Sequence, residues 1–158
     1  MTKKLRSQKG FTLSELLVTL AILGVLTLAI AVGISSATTV YRQSVTLSES
    51  GVLASTLSQA VSDELHYAKD IRVIEGTDTV TYTSQTYGAN ASITAENGKL
   101  MVGTYQLVGD AAYTNLKAGV EIIYTADSRA FNVEITIINQ EGTTLRTQTF
   151  QVTPVNNV

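Results

Sequence analysis

Apolar and polar positions follow three different rules along this chain. From Leu16 to Ile34 the sequence LLVTLAILGVLTLAIAVGI carries no charge, and none returns until Arg42. Nineteen residues at helical rise span roughly 28 Å, about the thickness of a bilayer's hydrocarbon core. A second rule begins at Leu53, where Leu53, Leu57, Val61 and Leu65 recur every four residues, with Ala54, Ala60 and Ala68 beside them. That spacing keeps one broad helical face apolar. The pattern predicts one helix from Phe11 to about Lys69, with Gly51 as a point of bending or interruption.

After Arg72 the period drops to two. Thr79 to Thr83 alternates around Val80 and Tyr82. Asn97-Gly98 is a two-residue turn signal, because both residues tolerate positive φ. It joins a weak strand near Ser92–Ala95 to one at Lys99–Val102. Val120, Ile122 and Tyr124 alternate with Glu121 and Thr125. Phe131, Val133, Ile135 and Ile137 alternate with Asn132, Glu134 and Thr136 in the clearest half-buried strand. Glu141-Gly142 turns the chain into Thr144–Val152, where Leu145 lies on one parity and Phe150 and Val152 on the other. A β-bulge reconciles the two phases. A long helix followed by a run of strands predicts an α+β fold, the outer half of the helix packed on an antiparallel sheet.

Charge sharpens the N-terminal reading. Lys3, Lys4, Arg6 and Lys9 hold four of the eleven basic residues, and beyond Gly10 seven basic residues face thirteen acidic ones. The leader therefore stays cytoplasmic by the positive-inside rule, and everything after about Tyr41 lies outside. The acidic body offers no basic patch, so direct nucleic-acid binding is not supported. Cysteine is absent, which excludes disulfides and thiolate metal sites.

Glu15 fits none of this. It stands at the head of the greasy run, where a carboxylate carries a solvation cost. A cleaved secretory signal, cut near Ser35-Ser36-Ala37, has no use for it, and neither has a plain signal anchor. The ordered set of basic leader, Gly10, Phe11-Thr12-Leu13-Ser14-Glu15 and apolar run resembles the class III signal of type IV prepilins and pseudopilins. The resemblance covers about residues 3 to 35. It implies cleavage between Gly10 and Phe11 by a membrane-embedded prepilin peptidase, followed by N-methylation of Phe11. It also implies assembly with other pilin or pseudopilin subunits, in which Glu15 meets the Phe11 amine of a neighbour. An intrachain pairing, or stabilisation of the helix N-terminus by the charge, is the alternative role for Glu15.

On that resemblance the chain divides into a cleaved leader at 1–10, a transmembrane and polymerisation helix at 11–41, and an extracytoplasmic pilin-like domain at 42–158. Its partners are the peptidase, an inner-membrane assembly platform, neighbouring subunits, and membrane lipid before assembly. The destination is the cell surface or a pseudopilus. Two features depart from many pilins. The membrane half has no proline, since Pro154 is the only one, which leaves Gly24 and Gly33 as weak points. The β region lacks the cysteine pair of many Gram-negative major pilins. Its short hairpins and its Thr-Pro-Val-Asn-Asn stretch look more like a minor pilin or pseudopilin.

Two other classes compete. One is a membrane-anchored extracellular binding domain that never polymerises. The other is a secreted enzyme released near Ala37, which needs a catalytic constellation. None is evident. His66 and Asp70 are spaced for one helical face, with Asp63 on roughly the same side, but the bland reading is a solvated face opposite the leucine stripe. Asp78, Asp110 and Asp127 lack the dense spacing of a calcium loop. The seven tyrosines read as strand and interface residues. No catalytic residue, metal ligand or cofactor is assigned.

Overall fold

The computed structural model describes residues 11–74 and 79–155. Gly10 and the basic leader lie outside the described residues, as does Asp78. The first element is helix α1, Leu13–His66, and it runs through Gly24, Gly33 and Gly51. Two compact units divide within it, residues 1–44 and 45–158.

In the second unit the leucine stripe behaves as its spacing predicts. Leu57, Val61 and Leu65 are wholly buried and Leu53 nearly so, joined by Ala54 and Ala68. The helix ends at His66 rather than near Lys69, and the strand region starts earlier than the alternation indicates. Ala68 N–H turns back to the Leu65 carbonyl at 3.2 Å, and Val155 N–H donates to the His66 carbonyl at 2.9 Å. A segment almost ninety residues away thus satisfies one of the open carbonyls that every helix end leaves.

Among the described residues nine strands follow, in three antiparallel sheets of three. The first joins β1 (Lys69–Val73), β2 (Val80–Ser84) and β3 (Gly88–Ala91). The second joins β4 (Ile93–Glu96), β5 (Lys99–Val102) and β6 (Tyr105–Gln106). The third joins β7 (Leu116–Thr125), β8 (Ala130–Asn139) and β9 (Thr144–Val152). A 3₁₀ turn at Asp110–Tyr113 leads into β7. The α+β, antiparallel reading of the sequence holds, with the strands divided among small sheets. Where the second sheet meets the third, Ala118 N–H donates to the Gly98 carbonyl at 2.7 Å.

The clearest alternation is β8. Phe131, Val133, Ile135 and Ile137 are all at most 2% exposed and share one core with the helix stripe. Asn97 and Gly98 adopt φ of 53° and 78° and pair Glu96 with Lys99, the two-residue hairpin their chemistry favours. The phase change in β9 is a bulge. Ile137 pairs with Arg146 and Ile138 with Thr144, so Leu145 is skipped and both Leu145 and Phe150 pack on the core. The Glu141-Gly142 turn is organised by Asn139, whose Oδ1 accepts from Glu141 N–H at 3.0 Å and Thr143 N–H at 2.8 Å.

Candidate functional site

The head of α1 carries the sequence-level candidates. Thr12 precedes the helix and Glu15 sits three residues on. Thr12 N–H donates to Glu15 Oε2 at 2.9 Å, and the Thr12 hydroxyl donates to the same oxygen at 2.8 Å. Glu15 N–H reaches back to Thr12 Oγ1 at 3.3 Å. This is a capping box, in which a threonine and a glutamate satisfy each other's open backbone donors. The T-x-x-E spacing before an apolar run is its signature, so Thr12 was readable in the sequence as a structural partner of Glu15. Glu15 Oε1 makes no hydrogen bond among the described residues. One carboxylate oxygen therefore holds the helix start while the other faces outward. The Phe11 side chain is 79% exposed.

Beyond the cap, every large apolar side chain from Leu16 to Ile34 is more than half exposed. Water does not favour such a surface, and it marks a membrane or interaction site. The helix is long and apolar enough to cross a membrane. The threonines of this stretch are turned inward on the backbone. Thr19 and Thr27 donate to the Glu15 and Leu23 carbonyls at 2.7 and 2.8 Å. Thr38 and Thr39 do the same to Ile34 and Ser35. Each hydroxyl thereby brings its own acceptor, as lipid surroundings require.

The remaining candidates are scattered. His66 closes α1 and stacks edge-on to Tyr67, while Asp70 lies in β1 at φ 49° and accepts from the Thr83 hydroxyl at 3.1 Å. The helix ends between His66 and Asp70, so they do not share a helical face. Among the described residues no group of three or more metal-ligating side chains converges. Asp110 pairs with Lys99 at 2.5 Å, and that hydrogen bond holds its carboxyl below the usual range. The tyrosines divide by burial. Tyr82 and Tyr113 lie in the core, and the Tyr113 hydroxyl accepts from Leu100 N–H at 3.1 Å. Burial pushes Tyr113 ionisation up, partly offset by that bond.

A family model described as the prokaryotic N-terminal methylation motif matches residues 5–31. No curated protein and no solved structure matches the chain. Residues 5–31 are thus a prepilin-type class III signal, followed by a pilin-like α+β architecture. The matched segment is a small part of the 158-residue chain, and it supports a pilin- or pseudopilin-like precursor through its N-terminal signal. The signal implies processing by a prepilin peptidase and assembly with other pilins, and with the apolar helix it fits a membrane-anchored protein.

Proposed function

We propose that this chain is a structural subunit of a type IV pilus or of a secretion or competence pseudopilus. The peptidase cuts between Gly10 and Phe11 on the cytoplasmic side, and the new amine of Phe11 is methylated. Removal of Lys3, Lys4, Arg6 and Lys9 with the leader takes four positive charges from the cytoplasmic flank, which eases extraction by the inner-membrane assembly platform. The subunit then packs its apolar helix against those of its neighbours. Before assembly it is a single-pass protein with its folded domain outside the cytoplasm. Among subunit classes a minor pilin or pseudopilin is favoured, on the short hairpins of a β region that has no cysteine pair.

The observation that carries this reading is Glu15, placed at the head of an uncharged and exposed apolar run. Burial of such a run among other helices would bury the carboxylate too, and a buried charge needs a partner. The Phe11 ammonium of the next subunit supplies one. The local cap does not compete, because it engages Oε2.

The test is the N-terminal residue and intact mass of the protein from its native envelope. A start at Phe11 with one added methyl is expected. An intact Met1 in a host that has the peptidase would favour the non-polymerising membrane-anchored binding domain. A start near Thr38 would mean an ordinary exported protein and would remove the assembly role of Glu15.

A further inference from the structure

Among the described residues six strands bound the three sheets, and five of them are closed to further pairing. β1 carries Lys69, Asp70 and Arg72 within five residues, with a register shift and Asp70 at φ 49°. β3 is four residues long and is bent by Gly88 and Asn90 at φ 88° and 59°. β6 has only two residues. β4 and β7 lie beside each other, tied where Ala118 N–H meets the Gly98 carbonyl. Charge, shortness, irregularity and cover are the devices by which proteins blunt a sheet edge.

β9 has none of them beyond its first turn of register. It runs for nine residues, TLRTQTFQV, without proline, glycine, lysine or acid, and Arg146 is its one charge. After the bulge at Leu145 it pairs regularly with β8 from Arg146 to Val152. The ladder fixes where its backbone points. Ala118 turns its N–H away from β8, to Gly98, and lies opposite Ile137. Two such residues in an antiparallel pair face away from each other. Ile137, Ile135, Val133 and Phe131 therefore bond to β9, at Arg146, Gln148, Phe150 and Val152. Thr147, Thr149 and Gln151 are left with their backbone N–H and C=O turned outward, and all three are exposed. No other segment of the described chain bonds to this edge.

We propose that this edge pairs with β9 of a second copy of the chain, antiparallel and centred on Thr149. The strand is its own complement, and that selects the occupant. In this register Thr147 meets Gln151 and Thr149 meets Thr149, so the outward residues of each copy exchange backbone hydrogen bonds. The side chains that meet are uncharged, and cross-strand threonine pairs are favourable. Like charges stay apart. The two Arg146 residues stand six residues or about 20 Å from each other, well beyond a screening length of about 8 Å. Glu134, one strand in from the edge, is three strand spacings or about 14 Å from its copy. Pairing joins two three-stranded sheets into one of six strands, a common size. Since the other edges are blunted, growth stops at the dimer. The interface belongs to the folded unit and does not depend on whether the chain polymerises through its helix.

The experiment uses the full chain in detergent micelles. The mass of the parental protein is followed by sedimentation over a range of concentrations, and a reversible dimer is expected. The chain has no native cysteine, so a nitroxide can be placed on Thr149→Cys alone. Strong dipolar broadening is expected between the two labels, because adjoining strands lie about 4.8 Å apart. A label on Ile123→Cys, in β7, is about five strand spacings or 24 Å from its mate and should show far less. Thr149→Pro removes an outward donor only, which an edge strand tolerates, and it should weaken the dimer about tenfold or more. Thr149→Lys sets two like charges directly opposite and should weaken the dimer at low salt, with recovery at high salt. That variant keeps the test sound if proline disturbs the fold. A chain that stays monomeric would overturn the proposal, as would open-ended aggregates. So would a dimer with unbroadened Thr149 labels, or one indifferent to Thr149→Lys, the behaviour of copies held by their apolar helices.

Discussion

Glu15 has a local role and a proposed intersubunit role, and Thr12 separates them. Thr12→Ala removes the three hydrogen bonds made through Oγ1: the 2.8 Å donation to Oε2, the 3.3 Å acceptance from Glu15 N–H and the 3.1 Å contact with the Ser14 hydroxyl. It leaves the 2.9 Å bond from the Thr12 backbone to Oε2, and it leaves the carboxylate itself. Loss of a threonine N-cap costs about 1 kcal/mol, or about a fivefold rise in fraying of the first turn. Glu15→Leu instead removes the charge. If the charge neutralises a neighbour's buried Phe11 ammonium, its loss strands that ammonium, a penalty that corresponds to a hundredfold or more in subunit incorporation. The assay is the amount of mature, Phe11-started subunit recovered in sheared filaments, relative to the processed pool left in the membrane. Thr12→Ala should lower that ratio by no more than about fivefold. Glu15→Leu should nearly abolish it while leaving insertion and cleavage intact. Equal losses in the two variants would show that capping alone explains Glu15. Normal incorporation of Glu15→Leu would refute the intersubunit pairing outright.

Stability should respond at three positions, one in the core, one in a turn and one in the helix. Leu57 is wholly buried among helix and sheet, so Leu57→Ala should cost about 2–5 kcal/mol in urea unfolding of the folded domain, read by circular dichroism of the full chain in detergent. Gly98 and Gly51 should respond in opposite directions. An alanine at Gly98, at φ 78° with its Cβ 2.6 Å from Lys117 Cγ, should destabilise by about 1–2 kcal/mol. An alanine at Gly51, inside the helix and in ordinary contact with Arg146, should stabilise by up to about 1 kcal/mol in the same assay.

Much of the fold was legible because it rests on short-range rules. The β8 alternation could be read directly, since all four inward side chains meet one continuous core. The bulge could be anticipated from the parity of Leu145 against Phe150. Other elements carried no such signal. Gly88–Ala91 and Tyr105–Gln106 are too short and too poor in apolar residues to alternate, and they exist as strands because β2 and β5 pair with them. The helix ends at His66, a few residues before the expected Lys69, where Val155 N–H, distant in the sequence, takes up the His66 carbonyl.

The N-terminal signal and the membrane-length run are properties of the sequence itself. Cleavage signals are read as linear peptide, and insertion into lipid sums the transfer free energies of consecutive side chains. Even the capping box is local, since its two partners are three residues apart. What the tertiary structure alone decided is which polar groups lose water. Seven tyrosines are alike in the sequence, yet Tyr82 is buried against Glu64 while Tyr105 stays 61% exposed. Asp63 and Glu64 look like part of a solvated helical face until packing brings Gln85, Thr86 and Tyr87 across from them. Desolvation depends on neighbours distant along the chain, so this acidic lining appears only once the helix and the β2–β3 turn are packed together.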